Sequence, residues 1–150
     1  SSSAASDVYK RQIIVMPGLS KLSDKEFLKA FQVTDAVIQN KQPIFMVIWV
    51  GSIMSVLSLI LISITYVGLS ETWLIVLVAL FYLLGVQGIT IFIHLPLNNQ
   101  IQKLNLEKLK DENLKSERLN FETRWNFFNN IRTTIAFFVS LTLLIFLTIP

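Results

Sequence analysis

Long uncharged runs alternate with charged segments along this chain. Ile44 to Val67 (IFMVIWVGSIMSVLSLILISITYV) carries no charge. At about 1.5 Å rise per residue, a helix of that length crosses a hydrocarbon core of roughly 30 Å. Trp73 to Leu95 (WLIVLVALFYLLGVQGITIFIHL) repeats the pattern, with only Glu71 near the short connection, so the two runs predict an antiparallel hairpin. Ile131 to Ile149 is a third span. Barrel strands need only about 9–11 residues and alternate in polarity, whereas these runs are apolar on every face. The expected fold class is an all-α membrane protein, an antiparallel transmembrane helix bundle with spans at 44–67, 73–95 and 131–149.

Two polar segments separate the runs. The first, Ser20 to Gln42, contains Ser23-Asp24-Lys25-Glu26, a Ser-x-x-Glu capping box that satisfies two orphan donors at a helix start. Phe27, Ala30, Phe31, Val37 and Ile38 recur at helical spacing, while Lys25, Lys29, Asp35 and Lys41 fall largely elsewhere. This predicts an amphipathic helix that ends before Pro43. The second segment, Leu97 to Asn130, mixes six basic with five acidic residues around sparse leucines and reads as a solvated helical hairpin or bent helix leading into the last span.

Composition supports this picture: 53% of residues are hydrophobic and 15% charged, with a mean hydropathy of +0.58, far from a soluble domain. There is no cysteine, which excludes disulfides, thiolate metal sites and dithiol relays. The net charge of +3 is too evenly offset by acids to suggest nucleic acid. Lys21, Lys25, Lys29 and Lys41 precede one span and seven basic residues from Lys103 to Arg132 follow the next, while the Gly68–Thr72 loop has none. The positive-inside rule then places segments 20–43 and 96–130 in the cytoplasm, and the expected location is a bacterial inner membrane.

Residues 1–12 stand apart. Ser2 to Gln12 reads as one translated frame of a transposase adapter and is set aside as a non-native scar. Ile13-Ile14-Val15-Met16-Pro17 reads as the stub of a preceding span, so residues 13–150 are expected to form one transmembrane domain that is four-helical when intact.

Polar residues inside the spans are the candidates for chemistry. Gln87, Thr90 and His94 stand at i, i+3 and i+7, and Asn98 extends the line if the helix continues past Pro96. Polar groups in hydrocarbon need partners, so this face is expected to point into the bundle. Asn126, Asn129, Thr133 and Ser140 form a matching face at the start of the last span, with Trp125 suited to the interface and Arg132 able to snorkel. Two readings remain open: helix-packing glue with interfacial anchors, or a pocket mouth at which His94 is a base, since imidazole titrates near neutrality. Gly51, Ser55 and Ser58 read as a small-residue seam for close helix approach. No cofactor and no metal site is expected, since the single His94 has no second histidine, cysteine or carboxylate within a span.

The order His94-Leu95-Pro96-Leu97-Asn98-Asn99, Arg118, Glu122, Arg124-Trp125-Asn126, Asn129 and Ile131-Arg132-Thr133 resembles the anthrone-oxygenase-like family of small four-helix membrane proteins. Val15-Met16-Pro17-Gly18-Leu19, Gln32 and the Asn40–Pro43–Phe45 stretch extend the resemblance over residues 13–149. The family pattern has Asn or another residue where His94 stands, so no family role passes to it. The resemblance implies a cofactor-independent oxygenase acting on a flat aromatic or quinone-like ketone with an acidic CH₂. For such a reaction the residues of this chain itself offer His94 as the base, Asn98, Asn126 and Asn129 as the oxyanion donors, and Arg132 as a further site residue. The competing class is a non-catalytic membrane component serving transport, assembly or stress. The expected partners are the lipid bilayer and a hydrophobic aromatic molecule, with oligomeric state left open.

Overall fold

The computed structural model describes residues 16–39 and 42–148. Residues 1–12, expected to be a scar, Ile13 to Val15, expected to be the stub of a span, and Asn40, Lys41 and Ile149 therefore lie outside the described residues. Six helices follow in order: α1 (Met16–Leu19), α2 (Asp24–Gln39), α3 (Pro43–Ile62), α4 (Leu69–Phe81), α5 (Leu95–Gln102) and α6 (Asp111–Thr148), with no strand among the described residues. π-helical turns at Ser63–Val67, Tyr82–Gly88 and Thr90–His94 extend α3 and join α4 to α5. Three continuous helices, Pro43–Val67, Leu69–Gln102 and Asp111–Thr148, are long and apolar enough to cross a membrane.

Local chemistry sets these boundaries. The Ser23 amide donates to the Glu26 carboxylate at 3.0 Å and the Glu26 amide to the Ser23 hydroxyl at 3.5 Å, closing the predicted capping box. Gln42 caps α3, its side-chain oxygen accepting from the Phe45 amide at 2.7 Å, and Pro43 occupies the first turn, where a missing N–H costs nothing. Gly68 alone joins the first two spans; its φ of 99° lies where a side chain would be strained. Pro96 does not break the second span, because it falls in the first turn of α5, where π pairing gives way to α pairing.

The compact core lies at the polar end of the molecule. Phe27, Leu28 and Phe31 of α2 pack with Leu97, Ile101, Leu106, Leu114 and Phe121, and Met16 and Leu19 of α1 lean against them. Each such side chain contributes about 1.5–3 kcal/mol by leaving water. The Phe31 and Phe121 rings meet edge to face at 4.5 Å. Within the spans little is covered by protein: none of the α3 window is buried, as expected where hydrocarbon is the solvent and burial gives no drive for association.

Two expectations change and one gains detail. Asp35, assigned to the solvated side of α2, is buried at 5% exposure, while Val37, assigned to the apolar side, is 60% exposed. The charged connector is helical on both sides of a turn at 103–110, and α6 then runs unbroken for 38 residues through the last span. The Gly51–Ser55–Ser58 seam faces outward, with nothing within 4 Å of a side chain built on Gly51. Close approach occurs instead at Gly85, where an added Cβ would stand 2.7 Å from Ile135 Cδ1 and 3.0 Å from its Cγ2.

Candidate functional site

The polar line on the second span fans out to three different elements. Gln87 turns to α3, accepting from the Trp49 indole at 2.7 Å and donating to the Tyr82 hydroxyl at 2.7 Å. Thr90 accepts from Arg132 of α6 at 3.2 Å. His94 meets Trp125 of α6 edge to face, with ring centroids 5.2 Å apart. Asn98 donates to Asp35 of α2 at 2.8 Å. The π-helical turns are the reason: i→i+5 pairing alters the angle per residue, so a stripe counted at α spacing does not keep one face.

His94 sits inside the bundle rather than toward lipid, at 4% exposure. Neither ring nitrogen has a hydrogen-bond partner among the described residues, and the same holds for the buried Trp125 Nε1 and Asn98 Oδ1. Burying such a group without a partner costs about 1–3 kcal/mol. Four such atoms on neighbouring residues therefore mark a place where the fold carries a penalty that packing alone does not explain.

Asn129 and Arg132 come together on α6, the guanidinium donating to Asn129 Oδ1 at 2.7 Å as well as to Thr90. Arg132 also lies within electrostatic range of His94. Asn126 is half-buried and joins none of these contacts. The amide of Asn98, assigned above as an oxyanion donor, is directed to Asp35.

Sequence reasoning missed the anchor beneath this site. Asp35 takes Asn98 on one oxygen and Gln102 Nε2 on the other at 3.0 Å, and Gln102 also donates to the Gln32 carbonyl at 2.9 Å. Gln32 in turn donates to the carbonyls of Ile101 and Leu104 at 2.8 and 3.0 Å, satisfying acceptors left over at the end of α5. An acid at i+3 from Gln32 and opposite two amides was the available signal, hidden because Asp counts as polar in any amphipathic pattern. Arg118 adds a second clamp, bonded to the carbonyls of Ser20 and Leu22 and to Asp24 and Glu122, with its guanidinium over the Phe27 ring at 4.6 Å. Outside the spans, Glu26 is held below the usual carboxylate range by the Ser23 hydroxyl and then the Ser23 amide. Glu107 is likewise lowered, by its bond to Lys25.

A cleft of about 200 Å³ opens one turn further toward the connector, lined by Leu97, Gln100, Ile101, Glu117, Asn120, Phe121 and Arg124. None of the five predicted site residues lines it.

Residues 41–142, which include His94, Asn98, Trp125 and Arg132, match the anthrone oxygenase family. The chain belongs to that family. No curated protein and no solved structure matches it. Asp35 and Gln32 lie before the matched residues, so the α2 clamp on Asn98 reaches the matched segment of this anthrone oxygenase family member from outside it.

Proposed function

We propose that the interface between the second span and α6 around His94 is the substrate site of a cofactor-independent oxygenase acting on a flat aromatic ketone with an acidic CH₂. The observation that carries this reading is the buried imidazole with two unpartnered nitrogens set against an aromatic ring. Such a group is free to accept a proton from a bound molecule and to return it. His94 takes one CH₂ proton, leaving a delocalised carbanion. The carbanion passes an electron to dioxygen, and the resulting pair combines at carbon into a peroxide anion that recovers the proton from His94. Loss of the second C–H proton with cleavage of the O–O bond gives a ketone and one water, so one dioxygen supplies both oxygens.

The reading includes a multi-pass topology in a bacterial inner membrane with segments 20–43 and 96–130 cytoplasmic, supported by the basic residues flanking the three apolar helices. It also keeps residues 13–150 as a single transmembrane domain following a non-native 1–12. Substrate dissolved in the bilayer would then reach His94 laterally. The test is oxygen uptake by purified protein with an anthrone: wild type consumes one dioxygen per ketone formed, and His94→Ala, with helix content retained, does not. Equal uptake by the two proteins removes the proposal.

A second reading, a non-catalytic membrane component, draws on the position of the cleft, which opens beside Arg124 and not at His94. It requires that the wild type consume no oxygen with any anthrone offered.

A further inference from the structure

Arg132 is a guanidinium on the last membrane-spanning helix, and among the described residues its bonds go to neutral oxygens, those of Thr90 and Asn129. Among the described residues the ion pairs join Lys25 to Glu107 and Arg118 to Asp24 and Glu122, and none includes Arg132. A partly buried cation at the entry to a span is costly unless its charge is met. Guanidinium has five N–H donors, so the bonds to Thr90 and Asn129 leave donors over.

The surroundings narrow what can meet them. Trp125, Asn129 and Arg132 follow at i, i+4 and i+7 along α6, facing Thr90 and His94, one turn apart on the second span. The indole N–H of Trp125 is buried and unpartnered, and it can only donate. A donor-only cation and a donor-only indole select a ligand that accepts, and the edge-to-face pair of Trp125 and His94 offers aromatic walls to a flat ring.

We propose that Arg132, with the indole N–H of Trp125 and the His94 ring beside it, forms an oxyanion site whose ligand is the phenolate or enolate of a flat aromatic molecule in the bilayer. This rests on the same interface being the substrate site. It moves the oxyanion role from Asn98, whose amide is bound to Asp35, to a group with donors to spare.

The test is anaerobic binding. Protein in phosphatidylcholine nanodiscs is titrated with a hydroxyanthrone and with its methyl ether, following the absorbance of the bound anion and competition by the ether. Wild type is expected to bind the anion well above the ether, and Arg132→Gln to bind the anion about tenfold or more weakly, as loss of a charge-assisted bond requires. Arg132→Lys should fall between, keeping the charge and losing the planar fork. Equal binding of anion and ether overturns the proposal, and that comparison needs no variant, so it stands even if Arg132→Gln fails to fold. Undiminished binding by a folded Arg132→Gln overturns it as well. So does saturable binding of phosphatidylglycerol that Arg132→Gln loses while its anthrone affinity is unchanged, which would give the guanidinium to a lipid phosphate. Binding without oxygen uptake would leave this site standing and remove the oxygenase reading. Uptake with unchanged KM in Arg132→Gln would do the reverse.

Discussion

Replacing His94 by phenylalanine should stabilise the protein while abolishing its proposed activity. The imidazole is 4% exposed, and both its nitrogens are buried without partners. Each unsatisfied group of this kind costs about 1–3 kcal/mol, and replacement by an apolar group of similar shape removes that penalty. Phenylalanine also keeps an aromatic edge on Trp125, now 5.2 Å away, a contact worth about 0.5–1.5 kcal/mol beyond burial. The larger ring opposes this, since overfilling a well-packed site costs about 1–3 kcal/mol. Where the two nitrogens' penalties exceed the strain, the net gain is about 1–2 kcal/mol. His94→Leu, nearer imidazole in volume, separates strain from polarity: it loses the ring contact and gains from desolvation with less overfilling. His94→Ala loses both contact and volume, and should be the least stable of the three.

Thermal unfolding in one detergent, followed by helical circular dichroism, ranks the variants. The expected order without ligand is His94→Phe at or above wild type, then His94→Leu, then His94→Ala. Ligand should reverse the first pair, because only the wild type gains RT ln(1 + [L]/Kd) from binding. A His94→Phe protein less stable than His94→Ala, or a wild type whose melting no aromatic ligand raises, would refute the reasoning. The first result would mean that overfilling by the larger ring outweighs the gain from removing the buried nitrogens.

Two further outcomes test the frame around the site. Gly85→Ala should destabilise by about 1–3 kcal/mol, because the new methyl meets the Cγ2 of Ile135, which a β-branched side chain in a helix cannot swing away. Gly51→Ala, which meets nothing within 4 Å, should instead raise helix stability slightly, and equal melting shifts for the two would refute the close approach of Gly85 to α6. Glu26, whose carboxyl is held below its usual range by Ser23, contributes stability that is fully present above the ordinary glutamate range. That contribution is lost as pH falls through the lowered value, so the acid-side decline in melting temperature should be shallower in Glu26→Gln, and a superimposable pH profile would show that the capping box has no weight.

What the sequence made legible was whatever depends on local pattern. The spans follow from uncharged length, the start of α2 from the Ser23–Glu26 spacing, and the burial of His94 from the cost of a polar group in hydrocarbon. What it hid depends on pairing between distant segments. Asp35 looked solvated because a pattern in α2 cannot show that Asn98 and Gln102, over 60 positions away, converge on its carboxylate. The seam at Gly51 looked as suited to close contact as Gly85, and only the position of Ile135 separates them. The polar line from Gln87 to Asn98 was drawn at α spacing, and the π-helical turns then sent its members to α3, α6 and α2.

That redistribution bears on function more than the line itself did. A single polar face could hold helices together by pairing its members with one neighbour. Here Gln87 is paired fully into a Trp49–Tyr82–Ser52 network and Asn98 is fixed by the Asp35 clamp. His94 is left between them with no hydrogen-bond partner among the described residues, beside an unpartnered indole N–H and a guanidinium bonded to two neutral oxygens. Gln87 on one side of His94 and the amide N–H of Asn98 on the other are satisfied, so the deficit, which includes Asn98 Oδ1, gathers around His94, where a polar ligand would complete it.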